Sequence, residues 1–170
     1  VRTRCVADLC CGHGLTGILF ALFERVVERV VLIDREQPPS HTKALAAAIR
    51  VGPWVADKVE YRTARMKDVG QHLEPLTSVI AVHACGTLTD RCLYCAVEAA
   101  GAVALMPCCY PDRGCQAPAA LQLSLGSRLA FDIDRTYRLE AAGYRVRWDA
   151  IPEEITPMNR VLIGTRRKEV

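Results

Sequence analysis

The chain has 170 residues, of which 51% are hydrophobic and 24% are charged, as is typical of a soluble globular protein. It is long enough for one compact domain that buries about two thirds of its unfolded surface. The net charge of +3 at pH 7 is too small to indicate nucleic-acid binding by itself, and the longest apolar stretch, residues 15–23, is too short to span a bilayer.

Apolar segments alternate between strand-like and helix-like patterns along the whole chain. They predict strands over residues 5–9, 30–33, 59–63, 79–84, 102–106, 144–151 and 161–165, and helices over residues 16–28, 41–50, 90–100 and 127–142. Residues 30–33 are a short apolar run in which all but Leu32 are β-branched, as expected of a strand buried on both faces. Ser40 is the predicted N-cap of the second helix, and Gly143 is predicted to end the fourth.

This order of elements predicts an α/β fold, namely a Rossmann-like three-layer sandwich with a mostly parallel seven-stranded sheet and helices on both faces. The sequence has no internal repeat and no low-complexity block, so we expect one domain over residues 1–170. Ligands of such sheets bind beyond the carboxyl ends of the strands, at the switch point of the strand order. Each candidate motif in this sequence falls at such an end.

A glycine-rich turn lies between the first predicted strand and the first helix, where Gly12, Gly14 and Gly17 form the pattern G-x-G-x-x-G. Glycine allows a tight turn and lets a ligand approach the backbone closely. The pattern serves several nucleotide cofactors and does not choose among them. Asp34 ends the second strand about 20 residues later, where a carboxylate can bind both hydroxyls of a cofactor ribose.

Asp8 lies four residues before Gly12 and is predicted at the mouth of the turn. A carboxylate there would repel the pyrophosphate of a dinucleotide, which this kind of loop otherwise binds. It would attract the ammonium and sulfonium groups of S-adenosylmethionine, so Asp8 favours that cofactor. The alternative is an aspartate that only caps its own turn.

The segment from Asp8 to Gly14 resembles the first motif of class I S-adenosylmethionine-dependent methyltransferases, which has the form acidic-x-x-x-Gly-x-Gly. The resemblance covers nearly the whole chain. It implies that Asp8, Gly12 and Gly14 border the methionine part of the cofactor and that Asp34 holds its ribose. It also places three residues after the third strand near the adenine, although they could simply be loop: Met66, Lys67 and Asp68.

A second set of motifs follows the fourth and fifth predicted strands. The sequence reads His83-Ala84-Cys85-Gly86-Thr87-Leu88-Thr89-Asp90, then Pro107-Cys108-Cys109-Tyr110, then Thr156-Pro157-Met158-Asn159-Arg160. These segments resemble a narrower methyltransferase group with His-x-Cys-Gly-x-x-Thr-Asp, then Cys-Cys, then a Thr-Pro-x-Asn-Arg-like segment. That group includes the eukaryotic enzyme that methylates a ribose hydroxyl in the tRNA acceptor stem, so the resemblance implies RNA, and tRNA in particular, as the acceptor. The Asp/Asn-Pro-Pro-Tyr/Phe motif of amino-methylating enzymes does not follow the fourth strand, which by analogy with those enzymes argues against adenine or glutamine nitrogen as the acceptor.

The two strand ends are neighbours in a doubly wound sheet, so we expect the acceptor to lie between them. The predicted pocket consists of Cys85, Gly86, Pro107, Cys108 and Cys109, with Thr156 and Asn159 on its rim. A hydroxyl acceptor needs a base to take its proton, and the candidates are Asp90 and His83, which would also border the cofactor. Tyr110 is predicted to position the acceptor or to stack on it.

Each candidate base has a structural alternative. His83 could be hydrogen-bonded inside the sheet instead of facing the pocket. Asp90 could be the N-cap of the helix that follows, with Thr89 as a competing cap.

Three cysteines, Cys85, Cys108 and Cys109, are predicted to converge near the pocket and to line it as small polarizable hydrophobes. A zinc site made by them with His83 is conceivable. We expect no metal, because adjacent cysteines rarely form a regular tetrahedral site and no paired C-x₂-C units appear. The C-x-x-C segment from Cys92 to Cys95 falls inside a predicted helix, which disfavours a thioredoxin-like role.

Nine cysteines, with adjacent pairs at 10–11 and 108–109, disfavour a secreted disulfide framework and indicate a reducing cytoplasm. The sequence begins at Val1, not at methionine, and a strand follows almost at once, so we expect a piece of a longer protein. Basic residues gather late in the chain and could meet phosphates, although solvated strand edges look the same: Arg145, Arg147, Arg160, Arg166, Arg167 and Lys168.

Two other functions are compatible with the sequence. One is an NAD-type Rossmann oxidoreductase that uses the same glycine turn. The other is a non-catalytic domain that binds the cofactor or a partner without turnover. No membrane partner is expected, and the sequence does not indicate an oligomeric state.

Overall fold

A computed structural model describes residues 3–167. Its strands are β1 (Cys5–Leu9), β2 (Arg29–Asp34), β3 (Val59–Thr63), β4 (Ser78–Val82), β5 (Val103–Met106), β6 (Tyr144–Ala150) and β7 (Arg160–Arg166). Its α-helices are α1 (Leu15–Phe23), α2 (Pro39–Val51), α3 (Thr87–Glu98) and α4 (Ala119–Ala141), and short 3₁₀ helices span Pro53–Val55 and Met66–His72.

The strands form one seven-stranded sheet in the order β3-β2-β1-β4-β5-β7-β6. The first five strands of that order run parallel, whereas β7 is antiparallel to β5 and to β6. The prediction of a mostly parallel seven-stranded sheet is therefore confirmed, with one antiparallel hairpin at an edge. The carboxyl ends of the five parallel strands lie along one edge, which we call the carboxyl edge.

Side chains of the central strands alternate between two cores, as the two-residue period of a strand requires. Val6, Val30 and Leu32 pack with Ile18 of α1 and Ala48 of α2 on one face. On the other face, a second core joins the sheet to α3 and α4 through Ala7, Leu9, Val31, Leu93 and Leu139. The helices thus cover both faces of the sheet, which confirms the three-layer prediction.

All four helices differ from their predicted bounds, and the limits of the first and the third depend on contacts with other segments. The first helix ends at Phe23 and not at residue 28, because the chain must turn before Arg29, whose N–H donates to the carbonyl of Arg4 and starts the pairing of β2 with β1. The third begins at Thr87 and not at residue 90. Its N-cap is Gly86, so the predictions that Asp90 or Thr89 caps this helix are wrong.

The cap predicted for the second helix is also wrong. Pro38 occupies the N-cap position and Ser40 lies within the first turn, where its side chain makes no capping hydrogen bond. Pro39 takes the first helical position, for which the fixed φ of proline is suited.

The fourth helix is longer than predicted because an extra segment precedes it. Gly126, at φ 75° and ψ 161°, breaks α4 into two parts, and the second part corresponds to the predicted helix over residues 127–142.

The late basic residues do not form one cluster, and Arg147 lies in the middle of β6. Arg145, Arg166 and Arg167 lie at the edge of the sheet opposite the carboxyl edge, whereas Arg160 begins β7 at the carboxyl edge itself. Lys168 lies outside the described residues. Within residues 3–167, none of the helices combines the length and apolar character needed to cross a membrane.

Candidate active site

A cleft of about 410 Å³ opens at the carboxyl edge, between the ends of β1, β2 and β4. This volume lies within the range of small-molecule sites in proteins, which is roughly 300–1,000 Å³. The residues that line the cleft include Cys10, Asp34, Met66, His83, Cys85 and Leu88. Sequence motifs from three separate segments therefore meet at one cavity.

The glycine turn follows β1 and uses positive φ at Gly12 (55°) and Gly14 (78°). A Cβ on Gly14 would lie 2.5 Å from Cδ1 of Leu32, and one on Gly17 would lie 2.4 Å from Cδ2 of the same residue. A Cβ on Gly12 would meet nothing within 4 Å. Gly14 and Gly17 thus allow the turn to pack against β2, while the space above Gly12 is open to a ligand.

Asp8 is buried beneath this turn, with 2% of its surface exposed, and its Oδ2 accepts a hydrogen bond of 2.9 Å from the N–H of Gly17. Burial raises the pKa of the Asp8 carboxyl to about 7, against the effect of the Gly17 bond. The prediction that Asp8 lies at the mouth of the turn is wrong, because its place in β1 directs the side chain towards α1. The structure shows the alternative role of holding its own turn, and a contact with a cofactor stays a prediction.

Asp34 lies at the end of β2 and lines the cleft, as its predicted role requires. Its Oδ2 accepts from the N–H of Gly12 at 2.8 Å, and its Oδ1 accepts from the N–H of Arg35 at 2.6 Å. A carboxylate has about four lone-pair sites, so these two bonds leave others for ligand hydroxyls. The carboxylate is fixed in orientation and still able to accept.

Tyr61 and His41 support the turn from β3 and α2, and sequence reasoning missed both. The Tyr61 hydroxyl lies 2.7 Å from the carbonyl oxygen of Gly12 and 2.9 Å from that of Glu36. The buried His41 ring packs edge-on against Tyr61, and its Nδ1 lies 3.1 Å from the carbonyl oxygen of His13. No local pattern marks these residues, since their role depends on the pairing of β2 with β3.

The residues predicted near an adenine lie in the 3₁₀ helix after β3. Met66 lines the cleft. Lys67 is exposed to solvent, and Asp68 is half-buried. The structure therefore brings Met66 to the cavity and leaves Lys67 outside its lining.

His83 follows β4 in the left-handed backbone region, at φ 65°, with its N–H donating to the carbonyl of Met106 at 3.2 Å. Its side chain is exposed and lines the cleft. The alternative of a histidine buried inside the sheet is therefore wrong. A positive φ is uncommon outside glycine, and such backbone strain is often found at functional sites.

The predicted convergence of three cysteines is present in the structure. The Sγ atoms of Cys85 and Cys108 are 3.5 Å apart, and those of Cys108 and Cys109 are 3.6 Å apart. Burial and the neighbouring thiols raise the pKa of Cys108 to about 12. The N–H of Gly86 donates to the carbonyl of Cys109 at 3.3 Å, which joins the two loops that carry these thiols.

Asp90 binds two arginines and is not among the residues that line the cleft. It pairs with Arg135, whose Nη2 is 3.0 Å from Oδ2, and with Arg138. Burial alone would raise the pKa of Asp90, but the hydrogen bonds and charges of the two arginines outweigh it and lower the pKa. A carboxylate held in this way is a poor proton acceptor, which weakens its candidacy as the base.

A recess of about 110 Å³ lies beside the cleft, and three predicted residues line it: Pro107, Tyr110 and Asn159. The Tyr110 hydroxyl donates to Oδ2 of Asp132 at 2.8 Å, so its ring is oriented by α4. Asn159 donates to the carbonyl of Ile151 at 2.8 Å, and the Thr156 hydroxyl accepts from the N–H of Met158 at 3.2 Å. The last two residues thus shape the loop before β7, and Asn159 also reaches the recess.

Comparisons with known proteins agree with this geometry. A family model described as a methyltransferase domain matches residues 1–113. A curated relative from Xenopus laevis, a glutathione S-transferase C-terminal domain-containing protein, is 22% identical over 197 aligned positions that cover 94% of this chain. The chain spans 30% of the length of that relative.

Solved methyltransferase structures share the fold. The aminoglycoside resistance methyltransferase NpmB1 is similar with a TM-score of 0.63 and 20% identity, over 98% of this chain and 89% of that one. The antibiotic-resistance methyltransferase Kmr has a TM-score of 0.62 and 14% sequence identity, over 96% of this chain and 87% of that chain. The Methanococcus jannaschii fibrillarin pre-rRNA processing protein has a TM-score of 0.61 and 13% sequence identity, over 99% of this chain and 68% of that chain. At these sequence identities the similarity shows a shared fold. The family match covers more than half of the chain and shows membership, so this chain belongs to the methyltransferase domain family.

Proposed function

We propose that this domain transfers a methyl group from S-adenosylmethionine to an acceptor bound between the ends of β4 and β5. The observation that carries the proposal is the cleft at the carboxyl edge, where Asp34 meets the glycine turn in a chain of the methyltransferase family. The cofactor, when bound, supplies an activated methyl group on a sulfonium. The residues of the chain bind it, orient the acceptor and handle the acceptor proton.

The residues present fit this cofactor. Asp34 is fixed by two backbone N–H groups and keeps lone pairs for ribose hydroxyls. The open space above Gly12 allows a ligand to approach the backbone. Met66 and Leu88 add apolar lining that suits the adenine ring of the cofactor. Because Asp8 is buried, its charge does not distinguish S-adenosylmethionine from a dinucleotide. The preference for S-adenosylmethionine therefore depends on the family match.

The first test is calorimetric titration of the chain with S-adenosylmethionine, S-adenosylhomocysteine and NAD in parallel. We expect the two methionine derivatives to bind and NAD not to bind. Asp34→Ala should weaken binding about 10-fold or more, because a hydrogen bond to a charged group contributes about 1.5–3 kcal/mol. Asp57→Ala, at an exposed position in the turn before β3, is the matched control and should bind as the wild type does.

Binding of NAD alone would contradict the proposal and favour the oxidoreductase. Binding of S-adenosylmethionine with no transfer to any acceptor class would favour the non-catalytic domain. An unchanged affinity in Asp34→Ala would remove that carboxylate from the site.

For the acceptor we propose RNA, with tRNA as the first substrate to assay. Support comes from the motif resemblance and from relatives of the fold that are named for RNA processing, such as the fibrillarin protein above. The assay follows a labelled methyl group from S-adenosylmethionine into tRNA, ribosomal RNA and protein fractions. Label that appears in protein and survives nuclease treatment would contradict an RNA acceptor.

His83 is the candidate base whose side chain is exposed in the cleft, since Asp90 is held by two arginines. We expect His83→Ala to lower turnover about 100-fold while leaving the affinity for S-adenosylmethionine unchanged, as general-base catalysis typically contributes 10²–10⁴-fold. Single-turnover methyl transfer and titration on the same preparation measure the two quantities. A wild-type rate would exclude His83 from the reaction.

A further inference from the structure

Three thiols stand together where the β4 and β5 loops meet. Cys85 lies three residues beyond the end of β4, and Cys108 and Cys109 lie two and three residues beyond the end of β5. The last paired residues of these strands are Val82 and Met106, so the sheet itself brings the two loops side by side. Their sulfur atoms all lie within 4.8 Å of one another.

The spacing of the sulfurs matches the edge of a metal–thiolate polyhedron. A tetrahedral zinc site with Zn–S bonds of about 2.3 Å has S···S edges of about 3.8 Å. The two contacts made by Cys108 measure 3.5 Å and 3.6 Å. A disulfide would instead require one pair to close to about 2.05 Å. Two of the three S···S distances are therefore close to the value that one shared cation would impose, and the third lies within 4.8 Å.

The expectation of no metal depended on the adjacency of Cys108 and Cys109 and on the lack of paired C-x₂-C units, and both grounds concern a site built from local sequence segments. The third sulfur comes from another strand, so the adjacent pair supplies only two corners of the site. The loops are joined by backbone hydrogen bonds from Gly86 to Cys109 and from His83 to Met106, so the arrangement is held by the sheet. Cys85 and Cys109 are exposed, which gives a cation access from solvent.

We propose that Cys85, Cys108 and Cys109 together bind one borderline-soft d¹⁰ cation such as Zn²⁺. Among the described residues the ligand group comprises these three sulfurs, so the fourth position is open to water or to a ligand. Three protein ligands with an open position are the pattern of reactive zinc sites, whereas closed structural sites use four. Cys85 also lines the cofactor cleft, and Pro107 and Tyr110 beside the pair line the recess, so the three thiols lie next to the proposed acceptor position.

This inference goes beyond methyl transfer, and its test needs no methyl donor. The chain, reduced with a phosphine and freed of metal, is titrated with Zn²⁺ against a chromophoric chelator and separately with Co²⁺. We expect one equivalent of cation per chain and, with Co²⁺, a thiolate-to-metal charge-transfer band with the visible spectrum of tetrahedral cobalt.

Variants decide which sulfurs bind. Cys108→Ser should weaken Zn²⁺ binding more than about 100-fold, because even the loss of a group that only supports a ligand typically costs 10–100-fold. Cys85→Ser and Cys109→Ser should each reduce the charge-transfer band. Cys115→Ser, a half-buried cysteine outside the cluster, is the matched control and should bind as the wild type does. Far-UV circular dichroism of the metal-free variants checks that they fold.

Three results would overturn the proposal. They are the absence of one-to-one binding at micromolar Zn²⁺, a Co²⁺ spectrum without a thiolate charge-transfer band, and unchanged affinity in a folded Cys108→Ser. Failure of methyl transfer would leave these readouts untouched, so the two proposals fail separately.

Discussion

A Cβ at Gly17 would lie 2.4 Å from Cδ2 of Leu32, 3.0 Å from Cγ1 of Val30 and 3.1 Å from the Cβ of Asp8. These neighbours belong to two central strands and are buried, so they have little room to move. The third glycine of the turn is therefore required for packing α1 on the sheet, while the first leaves space for a ligand. Glycine is thus needed at two positions of the same motif for different physical reasons.

We expect Gly17→Ala to lower the free energy of unfolding by about 1–3 kcal/mol, as inserting a methyl group into a packed core does. Urea denaturation monitored by circular dichroism measures the change. Gly70→Ala is the control, because the nearest atom to its Cβ would be Oε2 of Glu98 at 3.8 Å. Equal stability of the two variants would mean that α1 can shift away from β2 without cost.

Among the elements, α4 depends on one buried carboxylate for its place in the fold. Asp132, 1% exposed, accepts hydrogen bonds from Arg135 in its own helix, from Arg160 at the start of β7 and from Tyr110 after β5. Arg135 is fully buried and also binds Asp90 of α3. This network joins α3, α4 and β7 at the carboxyl edge, and it orients the Tyr110 ring in the recess.

Asp132→Ala should destabilise the fold by about 3–5 kcal/mol, because it removes one carboxylate from a buried charge network. The buried positive charge of Arg135 would then be balanced by Asp90 without Asp132. Asp149→Ala is the control. It breaks an exposed pair with Arg147, which solvent screens, so it should change the stability little. Urea denaturation of both variants gives the comparison, and similar small losses would show that Asp132 contributes no more than a surface ion pair.

For the whole molecule, stability depends on pH through Asp8. Burial raises its folded-state pKa to about 7 from the ordinary 3.8, with Asp34 as the nearby charge that adds to this effect and the Gly17 N–H opposing it. Between these two values the folded state holds a proton that the unfolded state has lost. The Asp8 contribution to stability is therefore greatest below about pH 4, falls as the pH rises to 7, and is flat above that.

We expect the stability of the wild type relative to Asp8→Asn to fall by on the order of 4 kcal/mol between pH 4 and pH 8. Asparagine keeps an acceptor for the Gly17 N–H and does not titrate. Urea denaturation at several pH values measures the difference, with Asp57→Asn as a control at an exposed site. A difference that does not change with pH would mean that the Asp8 pKa is ordinary.

Most strands were predictable nearly to the residue, because each is either a short apolar run or an alternation of apolar and polar residues, bounded by turns. The third strand, Val59–Thr63, matches its predicted range, and β2, β5, β6 and β7 agree within one residue at each end. Helix limits were less predictable. The start of α3 depends on the Gly86 backbone, and α1 ends where β2 must begin its pairing with β1. These limits depend on contacts with other segments.

The sequence by itself determined the α/β class, the glycine turn and the convergence of the strand-end motifs, because hydrophobic periodicity and glycine spacing are local properties. Only the tertiary structure decided where the carboxylates and thiols point. Asp8 lies beneath α1 since strand side chains alternate between the faces of the sheet, and Asp90 binds Arg135, which is 45 residues away. The three sulfurs meet because β4 pairs with β5, and no pattern within either segment contains that distance.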